Sequence, residues 1–535
     1  MQNIVFPNNI QKYKIYSGKL SNNINYYFES SEELSGGSKL KSILSHHEDV
    51  IQSFTDRTER FHLKLTEREL INGDRFLFFN IENHTEKMQT LKFSLVLTNT
   101  KDYVAEDLSN YYRQPSYSNR YGENKLTFPS LLLSSDTADV FISKGTVYLN
   151  NNLMYEDSTK SKTKKYIYET NDIRYKQENS AVHLNILLQV PAGKNMDQFL
   201  LLSEHSLFAS QQSLTSYFTD AGISVENNDV RFNMWITPEG TYTKLPYSIE
   251  PFDKDAYGVN LHHMSKKELL RYYNNEKDRF FFDLIYNAVI QVFGYRPHHK
   301  GLFLTEYTST WLKKDFSIRA PYIDTRLNET FALVIQDSKK LLPFDELHKF
   351  YLRYADFLVS YSESNSLLLV EKGAYYIPDY FALNKNASLT HSSLNHQLGI
   401  INYLFSILLK EDVTNKQDYS IVALSILKAI DLTYTFWIQE SGDLFYKISY
   451  YNNELVYSDS DYIYVTLIDL LIVQKNIIDL YGEKRKSIDT LIKSKLKYLD
   501  SQNFGLSDPH SKLPPNEDIN SREMAKKLAS NLNYV

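Results

Sequence analysis

The C-terminal half of the chain repeats one pattern of aromatic, small polar and aliphatic positions. Tyr322–Gln336 aligns with Tyr462–Gln474 when one gap is allowed, and a third copy, Ser392–Phe405, lies between them. The equivalent anchor positions, at nearly equal spacing, are Asn328, Asn395 and Ile468. A repeat of this length has room for one helical hairpin with its loops, and it predicts stacked helical units. Units that close on themselves form an α/α toroid, in which the ends of the inner helices surround a pocket.

Length, charge and cysteine content exclude several classes of protein. A chain of 535 residues is too long for a single hydrophobic core, so several domains are expected. The net charge of −6 and the pI near 6.2 argue against a nucleic-acid-binding protein, which would normally have a basic face. Cysteine is absent, which excludes disulfides, thiolate metal sites and cysteine nucleophiles.

Neither a secretion signal nor a membrane span is visible. The start, Met1–Asn9, lacks a charged region followed by an apolar run, which predicts a cytoplasmic location, although association with the cell surface stays open. The most apolar stretch, 467–478, is interrupted by Asp469, Gln474 and Lys475. It is interpreted as a buried helix and not as a membrane span.

Residues 57–255 alternate with a period of two, which predicts strands. Phe61, Leu63 and Leu65 alternate with polar residues, and the pattern recurs at 93–97, at 182–188 and from Val225 through Val230 and Phe232 to Met234. Turn sequences such as Asn72-Gly-Asp separate these segments. The region is therefore predicted to form an antiparallel β-sandwich of one or two pairs of sheets. Residues 1–56 are predicted to be an irregular segment with one or two strands.

Residues 260–500 are predicted to form the α/α toroid, and 501–535 a polar tail or strap. Ser265-Lys-Lys-Glu268 is a capping-box pattern at the change of period. Tyrosine-rich loops between Ser360 and Thr390 and between Trp437 and Asp461 are long enough for short β-hairpins. The predicted helices are Arg279–Phe293, Thr325–Leu341, Phe344–Ser360, Thr390–Lys410, Asp418–Trp437, Asp461–Tyr481 and Lys484–Leu499.

No sequence motif assigns a cofactor or a metal, and none is predicted. The chain has no phosphate loop, no His-Glu-x-x-His, no nucleophile elbow and no dinucleotide fingerprint. Three adjacent histidine pairs occur, but neighbouring positions point to different faces of regular structure and make poor chelates. These pairs are His46-His47, His262-His263 and His298-His299.

The candidate functional residues lie in the loops that precede the inner helices. The segments Tyr376-Ile-Pro-Asp-Tyr380 and Gly442-Asp-Leu-Phe-Tyr446 each bring tyrosines ahead of an inner helix, which begins at Ser392-Ser-Leu-Asn395 or at Asp461-Tyr462. Taken in their order along the chain, these four segments resemble the C-terminal α/α domain of the D-glucuronyl C5-epimerases, over about residues 370–500. After the hairpin tyrosine, where that family has an Arg-His pair, this chain has Lys447-Ile-Ser-Tyr450.

The resemblance implies tyrosine acid/base chemistry on an acidic, uronate-containing polysaccharide, of the epimerase or the lyase type. It implies Tyr462 and Tyr446 as the acid and base, with Tyr376 or Tyr380 completing the pocket. Because the ordinary pKa of tyrosine is about 10, a catalytic base of this kind would need a nearby cation or hydrogen bonds. The residues expected to bind substrate are Tyr380, Arg326, Asn328, Asn395, His396, Tyr322 and Asp461.

Two other functions stay open. A non-catalytic glycan-binding or structural protein of a surface or phage type would use the aromatic residues as sugar platforms. A glycoside hydrolase would need two carboxylates facing one pocket, for which Asp324 and Asp461 are the first candidates, with Asp379, Glu371 and Asp443 as further options. The expected partner is a polysaccharide or oligosaccharide, and the interpretation also allows a homodimer.

Overall fold

The computed structural model describes the chain in the ranges given at the end of this paragraph. Among the residues outside these ranges are five of the histidines in the adjacent pairs, namely His46, His262, His263, His298 and His299. The capping-box residues Ser265 and Lys266 also lie outside them. The described ranges are 13–44, 47–111, 130–226, 234–259, 264, 267–295, 302–364, 366–384, 386–411, 413–452, 454–508, 510–514 and 519–535.

The first half of the described chain is mostly β-structure. Its strands are β1 Tyr13–Lys19, β2 Ile24–Ser30, β3 Ser35–Leu44, β4 His47–Thr55, β5 Phe61–Glu69, β6 Arg75–Asn83, β7 Gln89–Thr98, β8 Tyr103–Asp107, β9 Leu131–Ser135, β10 Asp139–Ile142, β11 Gly145–Met154, β12 Lys160–Thr170, β13 Ile173–Glu178, β14 Ala181–Val190, β15 Lys194–Ser203, β16 Met234–Thr237, β17 Gly240–Lys244, β18 Ile249–Glu250 and β19 Ala256–Val259.

All of these strands except β18, which pairs with a strand of the second half, form two antiparallel sheets that pack face to face. The smaller sheet has the order β1-β2-β7-β14-β13. The larger follows β16-β17-β19-β12-β11-β15-β6-β5-β4-β3, with β10, β9 and β8 added beside β15. Phe79 of the large sheet contacts Phe28 and Phe93 of the small sheet, with ring centroids 5.6 and 5.0 Å apart. The strands predicted at 61–65, 93–97 and 182–188 are confirmed.

The second face of the large sheet packs against helices. Phe76 and Phe78 of β6 point away from the small sheet into a core that also contains Phe280 and Phe281. Because both faces of β6 are covered, its central residues are apolar without alternation, as a strand buried on both faces requires. The molecule is therefore a mixed α/β protein with a large antiparallel sheet region. Its description as a β-sandwich domain with limits at 57 and 255 stays a prediction.

The second half is mainly helical, with short strands between the helices. The helices, including the first in the β-rich part, are α1 Gln211–Glu226, α2 Lys267–Glu276, α3 Arg279–Tyr295, α4 Thr310–Phe316, α5 Thr325–Ser338, α6 Glu346–Phe350, α7 Leu352–Ser362, α8 Leu394–Lys410, α9 Lys416–Thr433, α10 Val465–Tyr481, α11 Lys486–Ser501 and α12 Ile519–Asn531. The strands are β20 Thr308–Ser309, β21 Tyr322–Asp324, β22 Leu368–Glu371, β23 Ala374–Tyr376, β24 Tyr380–Ala382, β25 Ser392–Ser393, β26 Phe445–Tyr451 and β27 Glu454–Ser460.

The three copies of the repeat become the neighbouring helices α5, α8 and α10. Helix α8 lies between the other two and is buried along most of its length, whereas α9 exposes Ile421 and Leu432 to solvent. This difference agrees with the predicted alternation of inner and outer helices. Closure of the helices into a toroid stays a prediction. None of the described helices combines the length and the apolar composition needed to cross a membrane.

Several predicted elements were wrong in their limits or type. In the segment 1–56, which was predicted to be irregular, the described residues form four strands between Tyr13 and Thr55, and Asp49 of β4 pairs with Arg68 of β5 in the large sheet. Val225 belongs to helix α1 and not to a strand, while Met234 does begin a strand. Val230 and Phe232 lie outside the described residues.

Corrections also apply to the helical half. The predicted helix Phe344–Ser360 is divided at Tyr351 into α6 and α7. Within the predicted polar tail, helix α12 packs with Ala525 and Ala529 fully buried, and the Tyr534 hydroxyl donates a hydrogen bond of 2.7 Å to Asp489. The hairpins expected in the two tyrosine-rich loops are confirmed as β22–β23 and β26–β27.

A buried polar network joins the large sheet to helix α3. The Arg68 guanidinium donates to both carboxylate oxygens of Asp49, at 2.9 and 2.7 Å, and to Oδ1 of Asn287 at 2.6 Å. His47 lies 3.3 Å from Asp49 and 3.1 Å from the Tyr286 hydroxyl. Burial would raise the pKa of Asp49, but Arg68 and His47 outweigh it and the pKa is lowered. The sheet and the helical half are thus linked by a charged contact and not by apolar packing alone.

Candidate functional site

Short strand pairs bring the N-terminal ends of helices α5 and α8 together. Strand β21, which leads into α5, pairs with β24 so that Asp324 stands opposite Tyr380. Strand β25, which leads into α8, pairs with β26 so that Ser393 stands opposite Lys447. Strand β27 leads through Tyr462 into α10. Side chains from three helix beginnings and from the β26–β27 hairpin therefore converge.

Asp379 is the buried centre of this cluster. Its Oδ1 accepts a hydrogen bond of 2.9 Å from the Ser393 backbone and its Oδ2 one of 2.5 Å from the Ser393 hydroxyl. Nε2 of His391 lies 3.3 Å from Oδ2, and Nδ1 of His396 lies 3.5 Å from Oδ1. Burial would raise the pKa of Asp379, but the two histidines and Ser393 outweigh it and the pKa is lowered. Asp379 is thus an anion that orients both imidazoles.

The hydrogen bonds of His396 assign its tautomer. Its Nδ1 is 2.7 Å from the hydroxyl of Thr325, and that hydroxyl donates its only proton to the backbone carbonyl of Asp379 at 3.0 Å. The Thr325 oxygen must then accept from Nδ1–H, as the neighbouring Asp379 anion also favours. No described residue hydrogen-bonds to Nε2, which carries the lone pair. Burial lowers the pKa of His396 to about 4, so the ring is neutral at pH 7.

Asp324 is the second titratable group at the cluster. It caps helix α5, with Oδ1 accepting a hydrogen bond of 3.0 Å from the backbone N–H of Leu327. Burial raises its pKa to about 7, with the Asp379 anion adding to the rise and the hydrogen bond from Leu327 opposing it. Asp324 therefore holds a proton under mildly acidic conditions. A neutral base and a protonated acid thus flank Thr325.

Three of the predicted tyrosines converge on these groups. The rings of Tyr446 and Tyr462 meet edge to face, with centroids 5.5 Å apart and planes at 86°. Tyr380 lies 5.9 Å from the His396 ring, and Tyr446 lies 6.1 Å from the ring of His391. Burial raises the pKa of Tyr446, and Asp379 raises it further. Both effects disfavour a phenolate, so the hydroxyl of Tyr446 is suited to donating a hydrogen bond or a proton and not to acting as a base.

Aromatic side chains form one wall of the cluster. Trp311 of α4 contacts Tyr380 and His391, with centroid distances of 5.6 and 5.7 Å. The ring of the buried Tyr322 lies 6.0 Å from that of Tyr380. His391 is 1% exposed, and no described residue makes a hydrogen bond to either ring nitrogen, so the approach of Nε2 to Asp379 at 3.3 Å is its polar contact in the cluster. Aromatic rings beside polar groups suit the apolar faces and hydroxyls of a sugar.

Arg326 forms an internal ion pair. One guanidinium nitrogen contacts both carboxylate oxygens of Asp469 at 2.9 and 2.8 Å, and another is 3.3 Å from Glu329. A Cβ built on Gly399 would lie 2.1 Å from that second nitrogen, so only glycine leaves the path of the guanidinium open. The expectation that Arg326 binds a substrate carboxylate is not supported, because its charge is already matched.

The remaining predicted residues have internal partners. Asn328 is buried and bonds the backbone of Phe303 in both directions, at 2.9 and 3.1 Å. Tyr376 is fully buried, and its hydroxyl contacts Thr433 at 2.6 Å and the Trp437 indole at 3.1 Å.

Asp461, proposed above as half of a carboxylate pair, is also occupied. It accepts a hydrogen bond of 3.0 Å from the ammonium of Lys495 and one of 2.6 Å from the Thr466 hydroxyl. Asn395 is buried beside Arg326, whose guanidinium donates to its carbonyl at 3.1 Å, and its side-chain oxygen has no hydrogen-bond partner among the described residues.

Trp311, His391 and Thr325 were not among the predicted site residues. His391 could have been found from the spacing of two histidines around a helix start, in Thr390-His391-Ser-Ser-Leu-Asn-His396. Nothing in the sequence places Trp311 beside Tyr380, because the two are far apart in the chain and meet only through tertiary packing. The described residues hold no group of three or more His, Cys, Asp or Glu side chains that could bind a metal ion.

Comparisons of the sequence with known families and with curated proteins give no match. No family model matches the chain. No curated protein matches it either. Membership of the C5-epimerase family therefore stays a prediction.

Solved structures with a loose likeness are carbohydrate-active enzymes. A cellobiose 2-epimerase from Bacillus thermoamylovorans B4167 is 11% identical at a TM-score of 0.40, over 61% of this chain and 85% of that one. An inactive variant of an α-1,6-mannanase of Salegentibacter sp. HEL1_6, with α-1,6-mannotetrose, is 10% identical at 0.34, over 57% and 83%. A family 105 glycoside hydrolase of C. acetobutylicum ATCC 824 is 10% identical at 0.36, over 60% and 90%. TM-scores of this size assign no reaction to this chain.

Proposed function

We propose that the chain is a carbohydrate-active enzyme that transfers a proton at a sugar carbon, in an epimerase-like reaction. His396 is the general base, Asp324 the general acid, and the aromatic wall holds the sugar. The observation that carries the proposal is the placement of His396: its Nδ1 lies 2.7 Å from the Thr325 hydroxyl, and its Nε2 has no hydrogen-bond partner among the described residues. A neutral imidazole beside a protonated carboxyl group is a suitable acid/base pair for proton transfer.

The tyrosines take a different role from the one that the family resemblance implied. Carboxylates surround Tyr446, and its raised pKa favours the protonated form. We assign Tyr446 and Tyr462 to hydrogen bonding of sugar hydroxyls and of the oxygen on which charge develops. Tyr380 and Trp311 supply the stacking surface.

The charge distribution favours an uncharged sugar over a uronate. Two cations beside the cluster are already matched by carboxylates: Arg326 by Asp469 at 2.8 Å, and Lys447 by Asp459 at 2.8 Å. A uronate would add a further negative charge beside Asp379, and neither of these two cations is free to balance it. In an uncharged sugar the acidic carbon–hydrogen bond is the one beside the carbonyl of an open reducing end, which makes that end the proposed point of reaction.

Glycoside hydrolysis is the second candidate. The pKa of Asp324 is raised while that of Asp379 is lowered, as in pairs of carboxyl groups that act as acid and nucleophile or base. Against this stands the complete burial of Asp379 beneath Ser393 and the two histidines. The same assay distinguishes the two reactions by their products.

The test is proton exchange in deuterated water with a panel of reducing oligosaccharides and uronate polysaccharides, followed by NMR. His396→Asn keeps a donor near the position of Nδ1 and removes Nε2, and it should reduce exchange by about 10²–10⁴-fold. Tyr450→Phe is the control: Tyr450 lies in β26 like Tyr446, but its hydroxyl donates its hydrogen bond to the carbonyl of Leu369 in β22 and not to a group of the cluster.

Each result has a definite meaning. Deuterium at the carbon beside the carbonyl, lost in His396→Asn and kept in Tyr450→Phe, supports the proposal. Exchange that persists in His396→Asn contradicts it. Release of shorter sugars without exchange indicates the hydrolase, and binding without either reaction indicates a recognition module.

A further inference from the structure

We infer that Lys495 is a positioning residue: its ammonium group holds both ends of the β26–β27 hairpin and so determines where Tyr446 and Tyr462 stand. The inference rests on the proposed function, because it gives those tyrosines a role with substrate. Lys495 itself lies in helix α11, and its side chain is fully buried, away from the sugar site.

The geometry joins one cation to the two ends of one hairpin. Nζ of Lys495 lies 2.5 Å from Oδ1 of Asp443 and 3.0 Å from Oδ2 of Asp461. Asp443 comes two residues before β26 begins at Phe445, and Asp461 directly follows the end of β27 at Ser460. Phe445 and Ser460 are themselves paired as the first rung of the hairpin. The lysine therefore closes the open end of the hairpin against α11.

Further hydrogen bonds fix each end of the hairpin. The Ser494 hydroxyl, next to Lys495, donates 2.7 Å to the carbonyl of Gly442. The Thr466 hydroxyl of α10 donates 2.6 Å to Oδ1 of Asp461. The backbone N–H of Leu444 donates 2.8 Å to Asp443. With these contacts both carboxylates have several donors, as buried charges require.

A contribution to stability alone does not account for the buried charged group of Lys495, Asp443 and Asp461. Apolar residues of similar volume often replace a buried ion pair without loss of stability, whereas a charged network fixes one arrangement of the elements it joins. What it fixes here is the distance between the two tyrosines: Tyr446 is three residues after Asp443, and Tyr462 directly follows Asp461. The edge-to-face contact of their rings at 5.5 Å depends on both ends. Beyond the hairpin, the one described strand that pairs with β26 is the two-residue strand β25.

The experiment detaches the ends singly and together in the full chain. Asp443→Asn and Asp461→Asn each weaken one end, and Lys495→Met releases both. The triple variant combines Lys495→Met with both Asp→Asn changes and removes every charge of the group. It is included because Lys495→Met alone leaves two buried carboxylates without a counter-charge, which can prevent folding. Lys493→Met is the control, since this lysine is exposed on the same helix and pairs only with Asp489 at 2.7 Å.

Two measurements follow each variant. Native-state hydrogen exchange of the amides in β26 and β27 reports the hairpin without any substrate. We expect at least tenfold faster exchange there in Lys495→Met and in the triple variant, with amides of α8 unchanged. For turnover, kcat should fall about 10²-fold with little change in KM, because a small displacement of the two tyrosines disturbs the geometry of the reaction more than the binding of substrate. The pH limbs set by His396 and Asp324 should not move.

The outcomes separate this inference from the proposed function. Faster hairpin exchange together with lower kcat in the triple variant supports it. If the amides of β26 and β27 exchange no faster in the triple variant than in Lys493→Met, the inference is overturned. It is also overturned if they exchange faster while kcat is unchanged. If the wild-type chain turns over no sugar, the proposed function fails, and hydrogen exchange alone then decides whether Lys495 holds the hairpin.

Discussion

His396 and Asp324 have pKa values displaced in opposite directions by one physical cause. Burial disfavours the charged form of each, so it lowers the pKa of the imidazole to about 4 and raises that of the carboxyl to about 7. Between these values both groups are neutral. A site that binds through neutral donors and acceptors beside aromatic rings favours an uncharged, hydroxyl-rich ligand.

The two pKa values predict a bell-shaped pH profile. In the proposed mechanism His396 must be unprotonated and Asp324 protonated, so turnover should rise as the pH increases through about 4 and fall as it passes about 7. In Asp324→Asn the alkaline limb should disappear, and the residual rate should be about 10²–10³-fold lower. The measurement is kcat/KM from pH 3.5 to 9. A rate still rising above pH 8 would contradict the assignment of Asp324 as the acid.

Asp324 should also make the protein less stable in alkaline solution. Its folded pKa is raised from 3.8 to about 7, so the folded state binds the proton more tightly and the stability it contributes is lost as the pH rises through about 7. Asn is an equally good helix cap and does not ionise. Asp324→Asn should therefore melt at a higher temperature than wild type at pH 8 and at a similar temperature at pH 4. The opposite order in thermal unfolding would refute this.

At the residue scale, several of the predicted residues lie together, while their roles stay proposals. Tyr446, Tyr462, Tyr380 and His396 do converge, because turns before helices deliver side chains to one end of a helical stack. Which polar side chains are free for a ligand could not be predicted. Asp469, the partner of Arg326, is 143 positions away in the chain, and no local sequence pattern predicts the contact.

At the element scale, helix α8 contains a glycine that packing requires. Ala normally stabilises a helix interior by up to about 1 kcal/mol over Gly. At Gly399, however, the added Cβ would meet the Arg326 guanidinium at 2.1 Å and force it from Asp469. Gly399→Ala should therefore destabilise the fold by about 1–3 kcal/mol, the typical cost of inserting an extra methyl group into a packed site. Urea unfolding measures this.

Gly294 offers the matched control. It also lies in a helix, α3, and its added Cβ would have only Ile43 as a near neighbour, at 3.9 Å. Gly294→Ala should be neutral or stabilising by up to about 1 kcal/mol. Equal effects of the two substitutions would show that Arg326 is not constrained by α8.

Elements with a strong period were predictable, and those without one were not. Helices α8, α9, α10 and α11 follow the apolar spacing of the sequence to within a few residues at most ends. Strand β3, Ser35–Leu44, is exposed along most of its length, so it shows no alternation of apolar residues. Its strand conformation comes from pairing with β4, which is a tertiary effect.

At the scale of the whole molecule, Arg68 couples the sheet to the helices. Arg68→Met leaves Asp49 buried without its counter-charge and should reduce the free energy of unfolding by about 3–5 kcal/mol. Arg57→Met, which breaks an exposed pair with Glu33, should change it by less than about 1 kcal/mol. Urea titration checks both. A loss below 1 kcal/mol for Arg68→Met would mean that apolar packing alone joins the two halves.

The ion pair between Arg326 and Asp469 has a consequence for how such a chain can evolve. In an open stack each repeat touches only its neighbours, so copies can be gained or lost by unequal recombination. Here the first copy of the repeat bonds to the third across Gly399 of the second. Duplicating the middle copy would separate the two charges, and deleting it would remove the helix across which they meet. We therefore expect such a chain to change its specificity through the loops between the repeats more readily than through the number of repeats.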